Sequence, residues 1–462
     1  MQRRIAFPSI VFLLSCLFHD AAGAAEKQDE RPPASEQERD ETDEKREEPD
    51  YDGRGDPPTT TGDVLLWIPR ILLAPPYLVS EYVLRRPLGF VIAESERAGI
   101  PVFIYDFFTF GPDHKVGIFP TVFYSFGFRP SVGLYAFWND AFFPKHDLRL
   151  RGAYGGRDWL AASFAERFRF GDDPVNLFAV EGATIHRPDY TFYGIGPDSS
   201  KSDEVRYGKD TLEGRLRLEK GLWHESAFRA DIGVRDVDFF RGGFGDHTVL
   251  DQAIASGALP EPPGYARGYT TIRSGFVLSL DTRLPRPAPG SGFRIRGGGV
   301  HSAELRETGS FVTYGGSVTG FLDLNDLNRV VSLTVMTRMV DPIGDSEVPF
   351  TELVTLGGSE PMRGFFPGRL TGQSAAVVDL AYEWPIWIWL DGAMHFEVGN
   401  VFGEHLAGFE LEKFRWSATI GIQSSGVSEN PLQIMVGVAS ETFESGGSID
   451  SFRLVLGTTS GF

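Results

Sequence analysis

The segment Leu212–Glu219 reads LEGRLRLE, with Leu212, Leu216 and Leu218 at even positions and Glu213, Arg215, Arg217 and Glu219 at odd ones. A strand turns successive side chains to opposite faces, so this pattern makes one apolar face and one face carrying both signs of charge. FRADIGV repeats it, setting Phe228, Ala230, Ile232 and Val234 against Arg229 and Asp231, and VSLTVMTR sets Val331, Leu333 and Val335 against Ser332, Thr334 and Arg338. A soluble sandwich normally turns small polar residues outward. Charge of both signs on one face and an almost wholly apolar opposite face suit a lipid-facing exterior around a wet, salt-bridged lumen. The body of the chain holds no run of about 20 uncharged apolar residues, so it is not built to cross a membrane as helices.

Counting such segments from about Val116 to Phe462 predicts sixteen strands. An even number returns the chain to the side on which it began, and closure leaves no unpaired sheet edge in hydrocarbon. The expected fold is therefore all-β: a 16-stranded antiparallel transmembrane β-barrel over residues 100–462, preceded by a short N-terminal helical segment. The last strand, SFRLVLGTTSGF, puts Phe452, Leu454, Leu456 and finally Phe462 on one face. A terminal Phe462 resembles the C-terminal signal of outer-membrane barrels in general. In EWPIWIWLDG, Trp384, Trp387 and Trp389 lead into a turn, as an aromatic girdle at headgroup level does.

The N-terminal quarter divides into three. Arg3 and Arg4, the apolar run Ile5–Phe18 and Ala22-Gly23-Ala24 read as a signal peptide over residues 1–24; acylation at Cys16 is the alternative. Residues 25–62 form an acidic segment too poor in apolar groups to fold, read as a disordered linker. Residues 63–99 are apolar but interrupted by Pro69, Pro75, Pro76 and Pro87, which predicts short helical pieces in the periplasm. They either dock at the periplasmic mouth or lie on the inner leaflet there, or they only cap the barrel. Cleavage after Ala24 removes Cys16, the only cysteine, and with it disulfides and thiolate chemistry.

The net charge of −19 argues against nucleic acid as a partner. No H-E-x-x-H, G-x-S-x-G or phosphate-loop pattern is present, the histidines are scattered, and neither a cofactor nor a metal site is expected. The chain does not read as an enzyme.

One stretch breaks the strand pattern: GGSEPMRGFFPGRL, Gly357–Leu370, between the eleventh and twelfth expected strands. Its Met362-Arg363-Gly364-Phe365 resembles the [VLIM]-R-G-[FY] signature of the BamA/TamA-like outer-membrane superfamily, or bacterial surface antigen family. DTRLPRPAPGSGF from Asp281 resembles that family's D-x-R…P…G turn, and HFEVGNVF from His395 its F-x-D-x-G segment. Here His395 replaces the phenylalanine and Glu397 the aspartate, while Gly399 matches. The family's E-x-R-x-P is Ala381-Tyr382-Glu383-Trp384-Pro385 in this chain, so its usual acid is missing. The resemblance implies that the motif tips a sixth external loop folded back into the lumen. It also implies a place in the outer membrane of a Gram-negative bacterium, reached by export through the inner membrane, among outer-membrane lipids and client outer-membrane or secreted proteins. Family members carry periplasmic POTRA modules, for which residues 25–99 offer no room, so a member lacking them is expected.

Parity alone puts Asp379 and Glu383 on the lumenal face of one strand and Glu397 and Gly399 on that of the next. Arg363 is thus expected to meet Glu397, Glu383 or Asp379, with Gly364 and Gly399 allowing close backbone approach. The expected function is assistance with insertion or translocation of protein, or of lipid, at the outer membrane. A passive or plugged pore for small solutes and a structural surface antigen are the alternatives.

Overall fold

Alternation of the kind in LEGRLRLE can bury its apolar face only in lipid or against a second sheet. In the computed structural model the sheet instead closes on itself. The described residues are 86–284, 290–306, 309–324, 328–387, 390–424 and 432–458, together with Trp67, Ile71, 74–79 and 81–82. The expected signal peptide and acidic linker, Trp389 and Phe462 lie outside them, as does the side chain of Trp387.

Sixteen described strands make the wall. The first eight are β1 (Val116–Ser125), β2 (Ser131–Trp138), β3 (His146–Tyr154), β4 (Leu160–Arg169), β5 (Leu177–Phe192), β6 (Val205–Gly221), β7 (Ala227–Phe240) and β8 (Tyr269–Asp281). The second eight are β9 (Gly292–Glu304), β10 (Gly309–Asp323), β11 (Val330–Ile343), β12 (Ser374–Trp387), β13 (Leu390–Phe402), β14 (Arg415–Ser424), β15 (Leu432–Ser440) and β16 (Ile449–Thr458). Each pairs antiparallel with the next, and β16 pairs back to β1, so the expected 16-stranded barrel is the observed one. Leu134, Phe164, Leu216, Ile295, Val335, Leu380 and Phe396 are all exposed on the outer face, where lipid covers them. Charged partners lie inside: Glu181 on β5 meets Arg215 and Arg217 on β6 at 2.5 and 2.9 Å.

The closing seam is thin. Among the described residues β16 and β1 share two register pairs, Val455 with Ser125 and Leu456 with Tyr124. Neighbouring β1 and β2 share eight.

Before the wall come α1 (Ala74–Val79), α2 (Arg86–Arg97) and α3 (Ile100–Phe108). Pro75 and Pro76, Pro87 and Pro101 fall in their first turns, where a missing N–H costs nothing and φ is already helical. The helical part therefore runs past residue 99, the expected end of the helical segment. IPVFIYDFF is aromatic and β-branched and reads as strand by propensity. It folds as helix behind Gly99, whose φ of 66° turns the chain, with Pro101 opening the first turn. Phe108 then packs on Phe119 of β1 at 5.4 Å, and Phe119 on Phe137 of β2 at 6.1 Å, which docks α3 at the mouth of the first strands.

The main buried apolar core joins the lumenal connections to the ends of the wall strands. It lies where the β7–β8 connection, with α4 (Leu250–Ala255), meets the β11–β12 connection inside the barrel. Leu250, Phe350, Leu356, Met362 and Phe365 are each 2 % exposed or less. An apolar cap thus fills one end of the lumen and holds the motif loop.

Candidate functional site

The β11–β12 connection folds as a small hairpin of its own, Val354–Leu356 paired with Leu370–Gly372. Its tip begins at Gly357 and Gly358, whose φ values of 97° and 72° are open to glycine without strain. Gly357 N–H donates to Pro361 O at 2.8 Å and Gly358 N–H to Phe365 O at 3.0 Å, closing a tight turn around the motif. Met362 also sits at positive φ, 69°, a left-handed state costing a non-glycine residue roughly 1–2 kcal/mol. Its side chain is fully buried, as is that of Phe365, and each such burial is worth about 1.5–3 kcal/mol. Burial outweighs the strain, so the loop stays in.

Arg363 is held at both its backbone and its side chain. Its N–H donates to Glu397 Oε2 at 2.7 Å, and its guanidinium pairs with Glu397 Oε1. The same Nη1 reaches Asp379 at 3.5 Å and lies 3.4 Å from His395 Nδ1. His395 Nδ1 is in turn 3.2 Å from Asp379. Glu397 is fully buried, and Ser417 Oγ donates to it at 3.1 Å while accepting the Gly364 N–H at 2.8 Å.

Gly364 lies flat against the wall. A Cβ there would sit 2.2 Å from the Val438 carbonyl oxygen, so any other residue would push the loop away. Its carbonyl accepts from Ser451 Oγ at 3.1 Å, and the Arg363 carbonyl accepts from Arg453 at 2.8 Å; Arg453 also donates to Gly358 O. The loop is thereby fastened to β13, β14 and β16. On its other flank Phe366 meets Phe128, in the β1–β2 turn, edge-on at 5.4 Å, and Pro367 O accepts from Thr191 of β5 at 2.5 Å. Arg369 donates to Ser199 at 3.0 Å. The motif loop therefore straddles the seam between β16 and β1.

The structure brings Glu397 and Asp379 to Arg363, but not Glu383. That residue shares their lumenal face four positions further along β12, which at about 3.3 Å per residue is roughly 13 Å away. Its carboxylate faces Gln423 at 3.5 Å. Gly399 permits a close approach to the neighbouring strand rather than to the loop, since a Cβ there would lie 2.6 Å from Ala376 O. Trp384 is buried, stacks on Tyr382 at 5.1 Å and lies over Gly392. In the Asp281 turn, Arg283 holds Asp281 through its backbone N–H at 3.0 Å and its guanidinium at 2.8 Å. Arg453, Ser417 and Ser451 carry no motif. Arg453 was nevertheless open to parity, lying between the outward Phe452 and Leu454.

Two groups of described residues gather three possible ligand atoms: Asp379, His395 and Glu397, and Asp341, Glu404 and His405. In the first the Arg363 guanidinium already supplies the cation, and the carboxylates are engaged by hydrogen bonds. That arrangement fastens the loop to the wall.

A family model described as the Omp85 superfamily domain matches residues 146–459, from the start of β3 to the end of β16. Among solved structures the chain is similar to BamA from Haemophilus ducreyi lacking POTRA domains 1–3. The identity is 14 % and the TM-score 0.51, over 74 % of this chain and 70 % of that one. It is also similar to CdiB from Acinetobacter baumannii, at 14 % identity and a TM-score of 0.46, over 74 % of this chain and 60 % of that one. At such identity the likeness is one of fold. No curated protein sequence matches the chain.

Proposed function

The chain belongs to the Omp85 superfamily and forms an outer-membrane β-barrel, and from that premise we propose that it assists insertion or translocation of protein at the outer membrane through a lateral opening between β1 and β16. The observation that carries this reading is the seam. Two register pairs close it among the described residues, and the motif loop bridges it, fastened by Arg453 and Ser451 on β16 and by Phe366 beside the β1–β2 turn. Each backbone hydrogen bond adds only about 1 kcal/mol net, so a short seam opens far more cheaply than any full strand pair of the wall. A nascent strand could then pair with the exposed edge before release, the same edge-pairing chemistry by which strands add to open sheets. Membership of the Omp85 superfamily supports this reading's class of client, protein of the outer membrane or protein crossing it; the chain itself would reach that membrane through its N-terminal signal peptide.

The solute-pore alternative fits the geometry less well, because the apolar cap of Phe350, Leu356, Met362 and Phe365 occupies one end of the lumen. Cysteines at Ser125 and Val455, directly opposite across the seam, test the choice. Opposed residues of an antiparallel pair lie about 4.5–5.5 Å apart at Cα, within disulfide reach. In proteoliposomes the reduced barrel should speed assembly of a small client barrel, and the oxidised one should not. Equal client assembly with the seam locked and unlocked would refute the lateral route. A steady conductance with no effect on clients would favour the pore.

A further inference from the structure

The wall from β7 to β11 carries a feature that the motif loop engages at one end only, through Glu360 and Arg338. Across it Arg229 on β7 lies opposite Val277 on β8, and Val277 opposite Gly298 on β9. Gly298 lies opposite Gly315 on β10, and Gly315 opposite Arg338 on β11. One row therefore crosses five strands with a guanidinium at each end and bare backbone in its middle. Glycine is required there: a Cβ on Gly298 would lie 2.4 Å from Phe276 O, and one on Gly315 2.5 Å from Thr337 O. Arg296 and Arg294 follow Gly298 on the same lumenal face of β9, two and four residues away. All seven of these residues line one cavity of about 750 Å3.

The charges around that cavity do not balance. Six arginines line it, against three carboxylates, Glu360, Asp379 and Glu383. Glu360 is engaged by Arg338 at 3.1 Å, and Asp379 by Arg363 and His395. Asp281, opposite Arg294, is held by Arg283. Glu219, opposite Arg229, makes no ion pair with it. Arg229, Arg294 and Arg296 are thus left without an ion pair among the described residues, and Arg229 Nε is buried with no hydrogen-bond partner. Arg296 is within electrostatic reach of Arg229 and Arg338, offset by Glu360, and Arg294 is within reach of Arg283 and Arg296, offset by Asp281 and Glu383. A chain of net charge −19 has here concentrated like charges in a partly dry space, which costs free energy in the empty state.

We infer that this cavity is a binding site for a phosphate-bearing ligand, recognised by Arg229, Arg294 and Arg296 over the glycine floor. Guanidinium forks match phosphate oxygens bidentately, and several forks around one bare surface suit a group carrying more than one negative charge. The glycines leave room for the phosphate and whatever bears it. The site rests on charge and shape within the lumen, so it stands whether or not the seam opens.

The test uses the full chain refolded in dodecyl maltoside at physiological salt, with calorimetric titration of two probes. Tripolyphosphate represents a free phosphate and lysophosphatidic acid a lipid headgroup. Saturable binding of tripolyphosphate assigns the site to soluble phosphates, and binding of lysophosphatidic acid alone assigns it to a headgroup. In either case Arg229→Gln with Arg296→Gln should weaken binding at least tenfold. Arg306→Gln, which removes a cation from the β9–β10 turn, should leave it unchanged. The gel mobility of the folded form, compared before and after heating, verifies that each variant has folded. Binding of neither probe, or binding undiminished in the folded double variant, would overturn the inference.

Discussion

Replacing Arg363 by alanine tests the pinned loop most directly. The change strips the guanidinium from Glu397, which is fully buried, and from Asp379 at 3.5 Å. Removing one partner of a buried ion pair costs about 3–5 kcal/mol, because a carboxylate is left without its counter-charge. Three contacts soften the loss. Glu397 keeps the residue-363 N–H at 2.7 Å and Ser417 Oγ at 3.1 Å, and Asp379 keeps His395 at 3.2 Å. We therefore expect the lower end, about 3 kcal/mol, which is roughly a 150-fold rise in the open form of the loop. Met362 and Phe365 remain buried, so the loop should still rest inside most of the time. Limited proteolysis of the refolded barrel reads the effect, since cleavage follows the population of open loop when opening is fast. Arg363→Ala should be cut in the 344–373 segment about two orders of magnitude faster than the parent, with Arg363→Lys between them. In a cycle with Glu397→Gln the two losses should fall well short of adding. Parental cleavage of Arg363→Ala, or strictly additive losses, would refute the pinning role.

Three further outcomes are expected. Gly364→Ala would drive a methyl into Val438 O and cost about 1–3 kcal/mol by overpacking, exposing the loop to protease as Arg363→Ala does; full protection would contradict the contact. Phe366→Ala removes the edge-on contact with Phe128, worth about 0.5–1.5 kcal/mol beyond its area, and should slow oxidation of the seam cysteines at 125 and 455 by letting the strands part. Burial raises the Glu352 carboxyl, but Arg235, Arg273 and the Tyr269 hydroxyl outweigh it and hold its pKa below the usual value. A depressed acid lends stability that is complete above its unfolded pKa and lost as pH falls through its folded one. The cap should thus keep its heat resistance at neutral pH and lose it in acid below the ordinary glutamate range; Glu352→Gln should flatten that acid limb, and an unchanged profile would exclude Glu352 as the cause.

Much of this molecule is written in side-chain parity. Leu212, Leu216 and Leu218 against Arg215 and Arg217 settle which face is outside, because a strand has only two faces and lipid accepts only one of them. The same rule sent Asp379, Glu383 and Glu397 into the lumen, placed Arg363 between strands eleven and twelve, and gave an even strand count. Parity carries no depth, however. Asp379 and Glu383 read alike from the chain, yet only the register of β12 against β13, together with the seat of the loop tip, puts one beside Arg363 and the other by Gln423. Local propensity is overridden at α3, where an aromatic, β-branched run is helix behind a left-handed Gly99 and with Pro101 in its first turn. The sequence by itself determined a closed barrel with a charged lumen, since these follow from period two and from the cost of an open sheet edge in lipid, whereas the inward arginine was implied by the motif's resemblance. Tertiary structure alone decided what meets across the lumen: the fastening of Gly358, Arg363 and Gly364 by Arg453 and Ser451, the two-pair seam, and the row of arginines around Gly298 and Gly315. Those depend on strand stagger, curvature and closure, which bring together residues as distant in the chain as Ser125 and Val455 and leave no periodic trace in it.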